Sequence, residues 1–391
     1  MITEKISQAA GILAEEGIDL WLTFVRESEV NGDPVLDLVL GANCTWHSAF
    51  MIPARGRAVA IVGSLDESRI RETGGYDVVG YKQSIKEPLL EQLRKYDPKT
   101  IALNFSENAV MADGLSHGLY LSLLRYLEGT PYAGRLASSE NVVAKLRGRK
   151  SPDEIRRIRA AVELAERIFE RASEIMKPGL TEKDVASFIL GEVDREGVET
   201  AWERELCPSV FTGPESAGAH AGPTDRRVEK GHILNIDFGV KVESYVSDLQ
   251  RTWYFLRDGE TKAPAEVLRA FETIRDAIAL AAERIKPGME GRAVDAIARG
   301  YITDRGYEEF PHALGHQVGR HAHDGSGLLC PVWERYGNLP YLEIEETQVY
   351  TLEPRITVPG YGVATMEEIV VVRPDGGEFL SHPQRELYLV G

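Results

Sequence analysis

Along the first part of the chain, hydrophobic positions follow two alternating rhythms. Short β-rich runs, IDLWLTF at 18–24, AVAIVG at 58–63, DVVGY at 77–81 and TIALNF at 100–105, alternate with stretches whose apolar residues lie three and four apart, such as KISQAAGILAEE and LLEQLRKY. The first rhythm predicts strands and the second amphipathic helices, so this region reads as an α/β domain. Near residue 150 the basic stretch LRGRK gives way to SPDEIRRIRAA. There Ser151 as N-cap, Pro152 at the first helical position and Glu154 three residues on predict a helix start with a capping box. The expected domains are residues 1–150 and 151–391.

Beyond that junction the chain nearly repeats itself. MKPGLTEKDVASFILGEVDREGVE from 176 is similar to IKPGMEGRAVDAIARGYITDRGYEE from 285 once a one-residue gap is allowed. Each copy follows a long helical pattern and precedes paired strand-like runs, LNIDFG with YVSDLQRTWYF in the first and QVYTLEPRITV with ATMEEIVVV in the second. Two copies are too few for a stacked solenoid. They predict two related halves with a cleft between them.

The strand-like runs carry charges that strands do not need. In an antiparallel hairpin, paired residues have a constant sum of numbers, so a turn centred between Val242 and Glu243 would set Asp237 opposite Asp248. The same test sets Glu353 opposite Glu367 around Gly360. Carboxylates facing each other at about 4.5 to 5.5 Å between Cβ atoms repel unless something positive lies between them. In a buried cleft, two divalent ions about 3.5 to 4 Å apart would account for four such acids, whereas solvated strand edges would need no ion. Histidine adds to this, because His312, His316, His321 and His323 fall within FPHALGHQVGRHAHDG, where nearby glycines let an imidazole approach a metal. His220 lies in a loop rich in small residues, FTGPESAGAHAGPTD.

On these motifs, residues 151–391 resemble the M24 metallopeptidases of the pita-bread fold, the group of methionine aminopeptidase, Xaa-Pro aminopeptidase and Xaa-Pro dipeptidase (prolidase), with the non-peptidase creatinases. The family's ligand order of Asp, Asp, His, Glu, Glu matches Asp237 in IDFG, Asp248 in YVSD, His316 in GHQVG, Glu353 in TLEP and Glu367 in TMEE. The amino-terminal region, the SPDEIRRIRAA junction and the length are similar to the prolidase and Xaa-Pro aminopeptidase branch. The resemblance implies a two-domain α/β protein: a creatinase/prolidase-like α/β domain followed by an α+β pita-bread catalytic domain with pseudo-two-fold symmetry. It further implies that Asp237 chelates one metal, that Asp248 and Glu367 bridge both, and that His316 and Glu353 complete the second site. Glu353 would also carry protons, and His220 and His323 would contact the substrate amide or the developing oxyanion. Water held between the two ions would be hydroxide-like and attack the amide. Oxygen-rich ligation with one imidazole favours Mn2+, with Co2+, Fe2+ or Zn2+ as alternatives. Creatinases lack most of these ligands, so retention of all five points to a metal enzyme.

Some positions depart from the family. Arg355 stands where a glycine often follows Glu-Pro, and Thr365 stands where an arginine often lies beside the bridging glutamate. A dipeptidase must bind a free carboxylate, which suits the planar fork of arginine, so Arg320, Arg335 and Arg355 are substrate-binding candidates with His312. The polar stretch FVRESEVNGDPVLDLVLG could reach a neighbouring subunit or lie as a plain surface loop.

Composition then narrows the partners. Forty-five basic against sixty-one acidic residues give a net charge of −16, which repels a phosphate backbone and argues against nucleic acid. The three cysteines are too few and too scattered for a disulfide framework or a thiolate zinc site. No apolar run approaches a membrane span, and MITEKISQAAG lacks a secretory pattern, so a soluble cytoplasmic protein is expected. The leading reading is hydrolysis of Xaa-Pro dipeptides by a homodimer. Alternatives are an Xaa-Pro aminopeptidase acting on longer peptides, a metal-dependent hydrolase or lyase of a small metabolite, and a non-catalytic peptide-binding protein.

Overall fold

In the computed structural model of the protein, residues 1–215 and 222–391 are described. Strand β1 (Leu20–Val25) is buried on both faces, and its side chains alternate between two cores. Trp21 and Val25 pack with Ile6, Ala9, Ile12 and Leu13 of helix α1 (Ile2–Glu15). Leu20, Leu22 and Phe24 pack with the apolar stripes of α4 (Lys86–Tyr96) and α5 (His117–Leu127). Short helices α2 (Leu36–Val39) and α3 (Glu67–Glu72) also pack on the α1 side, which α6 (Glu140–Gly148) completes. The sheet runs β4 (Asp77–Tyr81), β3 (Val59–Gly63), β2 (Ser48–Pro53), β1, β5 (Ile101–Leu103), β6 (Leu136–Ser138), with β2 alone antiparallel to its neighbours. These elements form one compact unit, Met1–Arg147, and Gly148–Gly391 forms a second.

The second unit begins with α7 (Pro152–Ile175), started by the expected capping box: the Ser151 amide donates to Glu154 at 2.8 Å and the Glu154 amide donates to the Ser151 hydroxyl. Its partner α8 (Glu182–Glu196) is capped in the same way by Thr181 and Asp184. In the second half the corresponding pair is α9 (Ala265–Arg284) and α10 (Gly291–Thr303). The repeat read in the sequence is therefore a repeated helix pair, each followed by hairpins. α9 and α10 share an apolar core with Leu352, Ile356, Met366 and Val370 from the second half's hairpins.

The first half's hairpin pairs β9 (Ile233–Phe238) with β12 (Leu249–Phe255), extended by β10 (Val240–Val242) against β11 (Tyr245–Val246). β8 (Ser209–Thr212) and β20 (Tyr388–Val390) flank the long pair, and β7 (Glu199–Thr200) flanks β10. Here the expected register is corrected. The turn is Glu243-Ser244, with φ of +47° and +67°, so Asp237 pairs with Gln250 and not with Asp248. Two left-handed residues in a two-residue loop match the twist of the flanking strands, and that geometry displaces the turn by one residue. Because the pairing sum changes by two, parity is kept, and Asp237 and Asp248 remain on one face as diagonal neighbours.

In the second half, β15 (Val349–Leu352) pairs with β18 (Glu368–Arg373), which also pairs with β19 (Gly376–Phe379). β16 (Arg355–Val358) pairs with β17 (Gly362–Thr365). The registers Leu352 with Glu368 and Arg355 with Thr365 put Glu353 opposite Glu367, as the spacing led us to expect. A bridge between Gln250 and Glu367 joins the two hairpins. β13 (Gly315–His316) lies against β14 (Leu328–Leu329). Among the described residues no helix is long and apolar enough to cross a membrane, and Cys44, Cys207 and Cys330 are free and buried.

Candidate metal centre

Strand alternation gathers a polar stripe inside the second unit. Asn235 and Asp237 on β9, Asp248, Gln250 and Thr252 on and just before β12, and Thr365 at the end of β17 with Glu367 just beyond it share one region and are all buried. Asp237, Asp248 and Glu367 are only 7%, 6% and 1% exposed, which removes the alternative of solvated strand-edge acids. His316 enters from β13, with Nε2 at 3.3 Å from Glu353 Oε1, 3.8 Å from Asp248 Oδ2 and 3.9 Å from Glu367 Oε1. Its Nδ1 lies 3.4 Å from the Gln317 carbonyl oxygen, a partner that would keep a proton on Nδ1 if a cation took the place of the proton on Nε2.

Electrostatics mark the same cluster. Burial, followed by the charges of Asp248 and Glu353, pushes Asp237 well above the usual carboxylate range. Burial raises Asp248 to about 7, partly offset by His316. Glu367 is likewise raised well above its ordinary value by burial and then by Asp248, Glu353 and Asp237. For Glu353 burial acts upward, but the hydrogen bond and charge of His316, with His312 and His323, outweigh it and hold this carboxyl low. His316 is the mirror case: burial acts downward, and the Glu353 hydrogen bond and the charges of Glu353 and Asp248 carry it upward.

A divalent cation fits these residues. One donor atom each from Asp248, His316 and Glu367 can be chosen so that all three lie within 4.8 Å of one another. Asp237 Oδ1 and Glu367 Oε1 are buried acceptors with no hydrogen-bond donor, a costly arrangement that a cation relieves.

Around this centre the other expected residues sort by position. The His323 ring stands edge-on to His316 with centroids 4.2 Å apart. His312 packs on Phe310 at 5.3 Å, and its pKa is lowered by burial despite the nearby Glu353. Arg355 begins β16 two residues after Glu353, half-buried, and burial alone lowers its pKa. By contrast, Arg320 lies 5.6 Å over the Tyr245 ring, and Arg335 donates to the Pro311 carbonyl at 2.6 Å with its guanidinium 4.7 and 4.8 Å from the Trp333 and Tyr336 rings. His321 is exposed. His220 lies outside the described residues.

Two sets of supporting residues escaped the sequence reading. Gln250 donates to Glu367 Oε2 at 2.8 Å. On α10, Arg299 forks onto Asp295 at 2.7 and 2.8 Å and also donates to the carbonyls of Phe310 and His312, while Asp295 accepts from the Leu314 amide at 3.1 Å. This buried pair fixes the backbone leading to His316. Its only signal in the sequence was an Asp and an Arg four apart on a helix, a spacing common to solvated faces.

Comparison with known proteins points the same way. A model of metallopeptidase family M24 matches residues 156–374. An uncharacterized peptidase of Staphylococcus aureus is 34% identical over 244 residues, covering 62% of this chain and 65% of that protein. An X-Pro aminopeptidase from Thermotoga maritima superposes with a TM-score of 0.71 at 25% identity, over 98% of this chain and 99% of the other. A prolidase from Pyrococcus horikoshii gives 0.70 at 25% identity over 98% and 99%. An Xaa-Pro dipeptidase from Bacillus anthracis gives 0.75 at 23% identity over the full length of both, a likeness of fold.

Proposed function

From the premise that the chain belongs to metallopeptidase family M24, we propose that it is a dinuclear metal-dependent hydrolase of Xaa-Pro bonds, most active on dipeptides. The observation that carries this reading is the convergence of Asp237, Asp248, His316, Glu353 and Glu367 in one cluster, with buried oxygens of Asp237 and Glu367 lacking any donor. Divalent ions held there, manganese first, would polarise the amide carbonyl and acidify a water. The amino-terminal unit corresponds to the creatinase/prolidase-like domain, with the junction near residue 150, and the assembly is a homodimer.

The chain's own residues divide the remaining work. Glu353, the one cluster carboxyl held low, accepts a proton at neutral pH from the attacking water and returns it to the proline nitrogen as the C–N bond breaks. The new C–O bond gives the free acid of the first residue, and the protonated nitrogen leaves as proline. His323, against His316, donates to the carbonyl oxygen as charge develops there. His220 is assigned to the same amide on its sequence position.

Arg355 is the best placed of the three arginines to bind the substrate carboxylate. It begins β16 two residues after Glu353, is half-buried, and its charge reaches His312. Arg320 and Arg335 have aromatic and backbone partners of their own.

The test is a manganese binding assay coupled to Ala-Pro, Ala-Pro-amide and Ala-Pro-Pro. The expected order is Ala-Pro first, with Ala-Pro-amide losing most activity, and with Arg355→Met raising KM for Ala-Pro more than for the amide. Preference for Ala-Pro-Pro would favour the aminopeptidase reading. Absence of both metal binding and hydrolysis would overturn the enzyme reading.

A further inference from the structure

Gln250 sits where the two halves meet, on the register opposite Asp237 in β9 and bridged to Glu367 of the other hairpin. Its backbone exchanges hydrogen bonds with Glu367, N to O at 3.4 Å and O to N at 3.3 Å. The side chain, 3% exposed, lies two residues beyond Asp248 and therefore on the same strand face. Its Nε2 donates to Glu367 Oε2 at 2.8 Å. Its Oε1 accepts from the Thr365 hydroxyl, also at 2.8 Å.

These two contacts select one orientation of the amide. In the ionised form that a cation would hold, Glu367 can only accept, so the Gln250 NH2 faces it and the Thr365 hydroxyl meets the carbonyl end that this leaves. Thr365 is itself immobilised: its carbonyl accepts from Asn235 Nδ2 at 3.3 Å and from the Thr252 hydroxyl. The relay Thr365, Gln250, Glu367 is thus anchored at its far end in the sheet. At its near end it commits Oε2 of Glu367 and leaves Oε1 as the buried oxygen without a donor, 3.9 Å from His316 Nε2.

The geometry points to Gln250 as a positioning residue for the metal centre: its amide, held in one orientation by the Thr365 hydroxyl, fixes the Glu367 carboxylate so that Oε1 faces Asp248 and His316. This rests on the metal-centre reading given above. The device is electrically neutral. It orients Glu367 without neutralising it, so the full carboxylate charge stays available to a cation. It also explains how Thr365 works in a place where the family resemblance led us to expect an arginine: its hydroxyl acts through Gln250.

The experiment measures manganese binding to chelator-stripped protein by calorimetry, with the electron paramagnetic resonance spectrum of the bound ions as a second readout. Gln250→Leu removes both contacts, and Thr365→Val frees the amide to turn. Expected are an affinity loss of about 10- to 100-fold for Gln250→Leu and about 2- to 10-fold for Thr365→Val. The Thr365 hydroxyl also lies 3.2 Å from the Pro354 carbonyl oxygen, beside Glu353, so the double variant separates the two routes: Thr365→Val in the Gln250→Leu background should add less than about twofold if Thr365 acts through Gln250. Thermal melts of the stripped variants establish that they fold, and should Gln250→Leu fail to fold, Thr365→Val carries the test alone. Wild-type affinity and spectrum in folded variants, or full additivity of the two changes, overturn the proposal while leaving the enzyme reading standing. A wild-type protein that binds no manganese overturns both.

Discussion

Asp248 is the residue on which the chemistry of the cluster turns, because burial raises its carboxyl to about 7 while Asp237 and Glu367 are driven up beside it. The sign of the consequence follows from linkage. A carboxyl whose folded pKa exceeds its unfolded value binds protons more tightly in the fold, so the stability it lends is complete below about pH 4 and is lost as pH rises through about 7. Chelator-stripped protein is therefore expected to melt at lower temperature at pH 8 than at pH 5.5, and added manganese, which must displace those protons, should restore most of the difference at pH 8. A melting temperature independent of pH over that range in stripped protein would contradict the burial of these acids. At this scale the sequence was legible where a residue type is improbable: a buried Asp, a histidine between glycines, a Glu opposite a Glu. It was silent where the residue is ordinary and only its neighbours matter, as for Gln250, whose role depends on a register joining residues more than a hundred positions apart.

The elements show how tightly the centre is built. β13 carries His316 past β15 with so little room that a Cβ on Gly315 would stand 1.8 Å from the Thr351 carbonyl oxygen, and one on Gly239 would stand 1.9 Å from that of Ser247. Gly315→Ala must push β13 away from β15, and overpacking of this kind costs about 1–3 kcal/mol. In a unit of this size that lowers the melting temperature by roughly 2–10 °C. Because His316 is the next residue, manganese affinity should fall with it, whereas Gly300→Ala, whose Cβ meets nothing within 4 Å on α10, should leave both unchanged. The helices were the most legible elements, since α7 announces itself through Ser151, Pro152 and Glu154, and the helix repeat fixes the like halves. Strands were less so. SAFMIP at β2 has no alternation to read because both its faces are buried, and Glu243-Ser244 is not a pair whose letters advertise a left-handed turn, so the hairpin register was misplaced although its parity was not.

For the whole molecule, the distribution of donors matters more than their number. Every residue assigned to the centre lies between His220 and Glu367, inside the unit Gly148–Gly391, whereas Met1–Arg147 has its own sheet and its own two cores. A ligand that binds only the folded state stabilises by mass action, about 2.7 kcal/mol at a hundredfold excess over its dissociation constant. That stabilisation belongs to the cooperative unit containing the site. Hydrogen exchange with and without manganese reads where it goes. The expected result is slower exchange, by up to roughly a hundredfold, for the amides of β9, β12, β13, β15 and β18, and no change for those of β1 to β5. Slowing of the amino-terminal strands by the same factor would mean that the two units unfold as one. Loss of the effect in Asp248→Ala, with the pattern of the stripped protein otherwise kept, would tie the protection to the cluster and not to manganese bound at the acidic surface of a chain carrying sixteen excess negative charges.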